Sequence, residues 1–568
     1  MKNYLNRRDF LKALGATAVA CAVPSCLTAS ENSSVSSKPN IVIILADDMG
    51  FSDIGCYGGE VNTSNIDKLA TNGLKFTQFY NYARCCPTRA SLLTGLYPHQ
   101  AGVGHMDIDL GDPHYQGYLN DKCITIAEAL KLAGYGTYMI GKWHICQFDF
   151  KTGTSPKPDS WPVQRGFDRY YGTLSGAGSY YDPVGLMLDN VPIKADSPNY
   201  YITDAITDQT IKFINNHIKD KPNQPFFAYV AYTAPHWPLH APENVVAKYK
   251  GRFDKGWDAL REERYKRQIE MGIIDRKWPL SPRNENVPPW EKAENKQWWS
   301  RCMEVYAAQI DVMDQGIGRI ISALEKNGKL DNTLILFLSD NGACHEVIQK
   351  TGWYKESGIA PQQTHNGKPV KIGNDPNVMP GPEDTYESYE RPWANLSNTP
   401  FRRFKSMMHE GGIATPLIAH WPAGIKAKNQ LRHQLGHIID IMPTCLDVAG
   451  AEYPKTYKDK EIFPPEGKSL VPAFDDKNIE RDALCFEHQG NRAVRLGDFK
   501  LVAKNKGPWE LYDMAEDRTE LYNLIAKLPE KAKELEAIYN NWAKRCGVKP
   551  WAQIAPSWAK DKKEGGDY

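Results

Sequence analysis

The run Cys85 to Arg89, with the sequence CCPTR, carries the residue types best suited to covalent chemistry in this chain. A thiol close to a helix start and to a guanidinium has a lowered pKa and can act as a nucleophile. Pro87 suits the first position of a helix, where a missing N–H costs nothing. These residue types leave both Cys85 and Cys86 open as the reactive group, because inert buried cysteines are common.

Two polar pairs supply only oxygen ligands. Asp47 and Asp48 follow one apolar run, and Asp340 and Asn341 follow another. Carboxylates that meet at neighbouring strand ends repel each other unless a cation lies between them. Oxygen-only ligands suit Ca²⁺, which takes roughly six to eight of them at about 2.3–2.6 Å. One such pair alone is more often a helix cap or a turn, so it is the two pairs together with the Cys85 run that favour a metal site.

Two lysines and two histidines complete the candidate site. Lys142 and His144 lie two residues apart, so on an extended segment they point the same way and suit an anionic ester. His236 lies in a proline-bracketed loop after an apolar run, and Lys405 ends the segment FRRFK. Their neighbours are expected to be non-catalytic, as with His105 and His240, or to line a pocket or stay solvated, as with Arg402, Arg403 and His409.

The apolar runs that precede these groups position them. Residues 40–46, 225–232 and 333–338 are typical of strands buried on both faces, and helical patterns such as 124–133 and 305–328 lie between them. This alternation predicts an α/β fold with a large, mainly parallel central sheet flanked by helices. Ligands bind at the carboxyl ends of the strands in such sheets, and the polar groups follow those ends.

The chain divides into five predicted segments. These are an export signal of the twin-arginine type over 1–30, a polar linker over 31–38, a catalytic domain over 39–452, a smaller C-terminal α+β domain over 453–555 and a flexible tail over 556–568. Within the catalytic domain, the long stretches 248–299 and 346–398 interrupt the strand–helix alternation. Each is predicted to be either a specificity element or a surface insertion with its own packing.

Composition and charge narrow the functional class. The 568 residues include 69 basic and 68 acidic side chains, so no overall field favours nucleic acid or a membrane. The signal predicts export to the periplasm through the export machinery. Cys26 follows Val23-Pro24-Ser25, a poor lipoprotein box, so a cleaved signal and a lipid anchor at Cys26 both stay open. Spacing assigns no disulfide among the 12 cysteines.

From about Pro39 to Ile554 the chain resembles the sulfatase family, of the arylsulfatase type, within the alkaline-phosphatase-like superfamily. The resemblance rests on four stretches, namely Cys85-x-Pro87-x-Arg89, Thr94-Gly95, Ser339 to Ala343 and Trp509 to Tyr512. It implies that a formylglycine-generating maturation enzyme converts Cys85 to formylglycine. It also implies one Ca²⁺ per chain, with the ligands Asp47, Asp48, Cys85, Asp340 and Asn341.

The resemblance further implies hydrolysis of O-sulfate esters to an alcohol or phenol and inorganic sulfate. The hydrated formylglycine at residue 85, held by Ca²⁺ and activated by Asp340, attacks the sulfur. His144 then removes a proton from the second hydroxyl, sulfate leaves and the aldehyde re-forms. Arg89 orients residue 85.

The same resemblance assigns the substrate contacts to Lys142, His236 and Lys405. Lys142 stabilises the non-bridging oxygens, and the other two neutralise or protonate the leaving oxygen. The substrate is either an aryl sulfate or a sulfated carbohydrate. The aromatic residues expected to stack on sugar rings are Trp237, Tyr181 and Trp393.

Two alternative functions are less consistent with these residues. A phosphoester or phosphonate hydrolase of the same superfamily commonly binds two transition metals through several His and Asp ligands, whereas the set here suits one hard cation. A non-catalytic binding protein with a degenerate site is disfavoured because every expected position is filled.

Overall fold

An eleven-stranded sheet forms the centre of the fold within residues 38–555, the part of the chain that the computed structural model describes. The predicted export signal, the tail and the linker apart from Lys38 lie outside the described residues. The strands are β1 Asn40–Ala46, β2 Leu74–Tyr80, β3 Gly136–Gly141, β4 Arg169–Thr173, β5 Leu186–Leu188, β6 Val191–Pro192, β7 Phe226–Ala231, β8 Thr333–Ser339, β9 Lys371–Ile372, β10 Thr385–Tyr386, β11 Ala414–His420, β12 Gln430–Arg432, β13 Gly436–His437, β14 Thr456–Tyr457, β15 Lys460–Glu461, β16 Leu484–His488, β17 Asn491–Leu496, β18 Phe499–Ala503 and β19 Glu510–Asp513.

The central sheet is mainly parallel, as predicted. Its order is β12-β2-β11-β8-β1-β7-β3-β4-β5-β6, with β13 also paired to β2. Strands β8, β1, β7, β3 and β4 run parallel, whereas β11 is antiparallel to both of its neighbours and β5 is antiparallel to β4. Every residue of β1 and β8 is buried, because the strands are covered on both faces. The predicted α/β fold is therefore confirmed.

Helices cover the sheet, and the longest is Lys296–Lys326. It begins before the predicted start at residue 305 and packs against the helices Ile202–Asp220 and Ser64–Thr71. The other helices are Cys85–Thr94, Ile126–Leu132, Glu243–Val246, Gly256–Glu270, Trp353–Glu356, Glu390–Ser397, Glu410–Ile413, Ile441–Ala449, Val471–Phe474, Pro529–Cys546 and Trp551–Ile554.

The tryptophans of the stretch 248–299 pack into the main hydrophobic core, together with Trp393 from the stretch 346–398. Trp257, on the helix Gly256–Glu270, contacts Trp290 edge-on at a ring-centroid distance of 4.7 Å and Trp393 at 5.5 Å. Trp393 is completely buried. The expectation that Trp393 stacks on a sugar is therefore wrong, because the stretch 248–299 covers its ring.

The C-terminal part of the chain forms a separate four-stranded antiparallel sheet, β16-β17-β18-β19, with the helix Pro529–Cys546 packed on it. Residues 491–503 have a strand-like sequence but form two strands, β17 and β18, because Gly497 takes a φ of 57° in the turn between them. This sheet matches the predicted α+β character of the smaller domain. Its boundary at residues 452 and 453 stays a prediction.

A buried ionic network joins the small sheet to the large one. Lys500 Nζ lies 2.9 Å from Glu410 Oε1 and 2.8 Å from Glu520 Oε1, and Arg518 Nε lies 3.0 Å from Glu410 Oε2. Tyr80, at the end of β2, donates its hydroxyl to Glu410 Oε2 at 2.8 Å. Lys500, Glu410 and Arg518 are all fully buried, so each charge depends on the others for compensation.

The ten cysteines within residues 38–555 are all buried, and all ten are free thiols. Over the same residues, no helix is both long enough and apolar enough to span a bilayer.

Replacing Lys500 with Met should lower the free energy of unfolding by about 3–5 kcal/mol, because two buried carboxylates lose their cation. Denaturant unfolding at neutral pH measures this. Burial opposes ionisation of Glu410, but Lys500 and the nearby arginines outweigh it and lower its pKa from 4.5 to about 2. A carboxylate with a depressed pKa stabilises the fold above pH 4.5, so the difference between the two proteins should narrow as pH falls from 4.5 toward 2.

The matched control is Lys533→Met, since the side chain of Lys533 is 71% exposed and pairs only with Glu530 on its own helix. It should change stability by less than about 1 kcal/mol. An equal loss of unfolding free energy in the two variants would contradict the stabilising role of the buried network.

Candidate active site

The two polar pairs lie side by side at the carboxyl end of the sheet. β1 and β8 are parallel neighbours in a register that brings their last residues level. The backbone N–H of Asp48 donates to Asp340 Oδ1 at 3.2 Å, and Asn341 Nδ2 donates to Asp48 Oδ1 at 2.6 Å. Asp48 has a φ of 64°, a left-handed conformation that non-glycine residues adopt mainly at turns and functional sites. Asp47 precedes it and is fully buried.

Cys85 begins the helix Cys85–Thr94, all of whose residues are buried. Pro87 was predicted to be the first helical residue, but it is the third. It still lies in the first turn, whose N–H groups have no helical partner. Arg89 lies one turn along, and its Nε and Nη2 donate to Asp340 Oδ2 at 3.1 and 2.8 Å. The spacing thus places the thiol at the positive end of the helix and the guanidinium against the acidic cluster.

Lys142 and His144 both reach the site, although not as an extended pair. β3 ends before them and His144 has a φ of 55°, so the predicted extended segment is wrong. Lys142 Nζ donates to Asp47 Oδ2 at 2.6 Å. The side-chain ligand atoms of His144, Cys85 and Cys86 all lie within 4.8 Å of one another. Any Cβ at Gly176 would lie 2.0 Å from His144 Nε2, so glycine at this position makes room for the imidazole.

Lys405 and His236 lie against the second carboxylate. Lys405 Nζ donates to Asp48 Oδ2 at 2.9 Å and lies 3.4 Å from His236 Nε2 and 3.6 Å from Glu346 Oε2. Burial lowers the pKa of His236 to about 3, so the ring is neutral. Its Nδ1 lies 2.7 Å from the carbonyl oxygen of Trp237, which only accepts, so Nδ1 carries the proton and Nε2 is free to accept.

Electrostatics act differently on the two neighbouring thiols, Cys85 and Cys86. Burial disfavours the Cys85 thiolate, but the hydrogen bond from Cys86 and the charges of Lys142 and His144 outweigh burial and hold the pKa of Cys85 well below its ordinary value. The pKa of Cys86 is raised well above its ordinary value, first by burial and then by the neighbouring Cys85. The difference in pKa favours Cys85 over Cys86, and the assignment of Cys85 as the reactive thiol stays a prediction.

The oxygen atoms of the cluster fit a hard divalent cation. Asp47 Oδ1 and Asn341 Oδ1 are buried and have no hydrogen-bond partner among the described residues. Burial raises the pKa of Asp47 well above its ordinary value, and Lys142 opposes this only in part while Asp340 adds to it. A cation bound to these oxygens would remove the cost of burying them, and oxygen donors are the ligands of Ca²⁺.

Three charged residues of this region escaped the sequence analysis. Glu346 accepts hydrogen bonds from Arg84 Nη1 at 2.7 Å and from Trp237 Nε1 at 2.8 Å. Asp107 Oδ1 lies 3.8 Å from His144 Nε2. The loops that hold Glu346 and Asp107 show no strand-end or helix-start pattern, and the position of Arg84 directly before Cys85 was the one available signal.

Three polar residues that were not expected to be catalytic, His105, His409 and Arg402, lie outside the cluster. His105 stacks on His488 of β16 with ring centroids 5.4 Å apart, and His409 Nε2 lies 3.3 Å from Glu510 Oε2 of β19. Arg402 also donates to the C-terminal part, at the backbone carbonyl of residue 520. These side chains connect the two sheets rather than line the site.

Comparison with protein families identifies three matching regions. The sulfatase family model matches residues 39–451, and the model of the C-terminal region of N-sulphoglucosamine sulphohydrolase matches residues 401–542. A twin-arginine translocation signal matches residues 5–24, which indicates export. The predicted signal is therefore confirmed.

Individual proteins agree with these matches. An arylsulfatase of Klebsiella aerogenes is 33% identical, with 80% of this chain and 96% of that protein covered. An N-acetylglucosamine-6-O-sulfatase of Bacteroides thetaiotaomicron is 28% identical, with 91% and 88% covered. The crystal structure of Ps i-CgsB in complex with k-i-k-neocarrahexaose has a TM-score of 0.63 at 24% identity, with 92% of this chain and 99% of that chain covered. The chain belongs to the sulfatase family and has the alkaline-phosphatase-like fold of its members.

Proposed function

We propose that this sulfatase hydrolyses O-sulfate esters of carbohydrates, with residue 85 in the formylglycine form and one Ca²⁺ in the acidic cluster. The observation that carries the proposal is the meeting of Cys85, at a helix start, with three buried cations and two buried acceptor oxygens that have no hydrogen-bond partner among residues 38–555. A relative of this chain is named as a sulfatase of N-acetylglucosamine, which supports the carbohydrate class.

Ca²⁺ would be held by Asp47, Asp48, Asp340 and Asn341, and it would supply positive charge to the sulfate oxygens, while formylglycine at residue 85 would supply the nucleophile. Arg89 fixes the carboxylate of Asp340 through two hydrogen bonds. This carboxylate therefore cannot rotate away from the cluster when a ligand enters.

Lys142 and Lys405 would bind the sulfate and the leaving oxygen, and His236 would hold the Lys405 ammonium through Nε2. Burial lowers the pKa of Lys405, but Asp48, Cys344 and Glu346 together outweigh burial and hold the pKa well above its ordinary value, so the ammonium stays charged. The Lys405 ammonium can donate hydrogen bonds to the leaving oxygen. The neutral His236 accepts a hydrogen bond from the same ammonium at Nε2. His144, whose ring lies within 4.8 Å of the side-chain end of residue 85, is the group placed to take a proton there.

The proposal includes delivery to the periplasm by the twin-arginine route. A cleaved signal and lipid attachment at Cys26 are distinguished by labelling cells with a tagged fatty acid.

Co-expression with a formylglycine-generating enzyme should convert Cys85, so that this residue loses sulfur and two hydrogens and gains an oxygen. Peptide mass spectrometry measures the conversion, and release of sulfate from 4-nitrophenyl sulfate measures activity. Cys85→Ala should reduce kcat by on the order of 10³-fold or more, because the nucleophile is absent.

Cys86→Ser is the matched control, since this neighbouring thiol is equally buried. It should keep conversion of residue 85 and most of the activity. Full conversion without release of sulfate, but with hydrolysis of 4-nitrophenyl phosphate, would move the chain to the phosphoester class.

Addition of Ca²⁺ to chelator-treated protein should raise its Tm by several degrees, because an ion that binds only the folded state stabilises it. Differential scanning fluorimetry measures the shift. In Asp340→Asn the shift should disappear, since the cluster loses a carboxylate. Asp440→Asn is the control, because Asp440 is equally buried but pairs with Arg481 Nη2 at 2.5 Å. It should lower the starting Tm and keep the Ca²⁺ shift, and loss of the shift in both variants would contradict the assigned ligands.

A further inference from the structure

The loop that follows β8 and the polar pair packs onto the active site as a small cluster of its own. Its buried apolar members are Trp237, Cys344, Ile348, Ile359, Ala360 and Tyr386, with Phe150 and Tyr354 packed against them. One residue of the cluster, Trp237, directly follows His236. Another contact comes from Glu346, which accepts from Trp237 and faces Lys405. The loop is therefore a wall of the site.

Aromatic rings lead outward from the site along this wall. The rings of His236 and Trp237 lie 4.4 Å apart, those of Trp237 and Tyr354 5.6 Å apart, and those of Tyr354 and Trp353 5.2 Å apart. Phe150 supports the last ring edge-on at 6.1 Å. Because each ring contacts the next, the last indole is held at a fixed distance from the catalytic imidazole.

The outermost ring is open to solvent. Trp353 is 55% exposed and is the only exposed tryptophan among residues 38–555, and Val347 beside Glu346 is 46% exposed. Leaving a large indole in water forfeits the free energy of burial, so an exposed aromatic patch that continues from an active site marks a surface that a ligand covers. Two exposed lysines lie close by in sequence, Lys151 directly after Phe150 and Lys355 two residues after Trp353.

We propose that Trp353 is the outer platform of the substrate cleft, on which a sugar ring beyond the sulfated residue stacks. One face of a pyranose presents C–H groups that match an indole, while its substituents stay in water, and the lysines suit an anionic chain. The substrate is accordingly a sulfated oligosaccharide rather than a small aryl ester. This inference rests on the proposed sulfatase activity at residue 85 and deepens it.

The test compares two kinds of substrate on the matured enzyme. 4-Nitrophenyl sulfate occupies the sulfate site alone, whereas sulfated oligosaccharides from carrageenan and from glycosaminoglycans extend beyond it. Trp353→Ala should raise KM for the hydrolysed oligosaccharide about tenfold with kcat little changed, and should leave turnover of the aryl sulfate as it was. Trp353→Phe should restore most of the loss, because a ring is kept.

Tyr522→Ala is the matched control, since Tyr522 is 62% exposed and lies in the C-terminal part of the chain. It should leave both substrates unaffected. Equal kinetics of Trp353→Ala and wild type on oligosaccharides would overturn the inference, as would a parallel loss on both substrates or a wild-type enzyme that hydrolyses aryl sulfates only. Absence of all sulfate release from converted wild-type enzyme would instead overturn the proposed function.

Discussion

Parallel pairing of β1 with β8 is the constraint on which the site depends. The register of these strands places two polar pairs at one level, in an interior where like charges repel strongly. Three cations compensate the carboxylates, and each comes from a different element. Arg89 comes from the helix after β2, Lys142 from the end of β3 and Lys405 from the loop before β11. Moving any one of these elements would leave a buried charge without its partner, which costs several kcal/mol, about 3–5 by analogy with other buried pairs.

The same compensation sets the protonation state of each group. Lys405 keeps its charge beside Asp48, and His236 stays neutral because it is buried. The dipoles and charges are thus in place before a substrate arrives, and this preorganisation is what electrostatic catalysis requires. The network around Glu410 and Lys500 follows the same physics at the contact with the smaller sheet, where it fixes orientation rather than reactivity.

Local sequence patterns predicted much of the fold and many of the residues that meet in the site. Continuous apolar runs predict strands buried on both faces, and the residues after such runs must gather at one edge of a parallel sheet, which is why Asp48 and Asp340 could be paired in advance. Glu346 could not be found this way, since its importance arises only when Arg84 and Trp237, both distant in the sequence, fold against it.

Tryptophans illustrate the same limit of sequence patterns. Trp393 and Trp353 occur in one polar, proline-rich stretch and look equivalent there. Only packing separates them, because Trp257 from the stretch 248–299 covers the first and nothing among residues 38–555 buries the second. The start of the helix at Cys85 was likewise beyond the pattern, since proline fits any position of a first turn.

The ten cysteines among residues 38–555 are free thiols, so this part of the fold can be completed in a reducing compartment. Apart from Cys85, their burial protects them from exchange and from oxidants. The twin-arginine route carries chains that are already folded. Folding can therefore finish before export, and the oxidation proposed for residue 85 can be complete by then as well, so that this part of the chain requires no disulfide to form after transport.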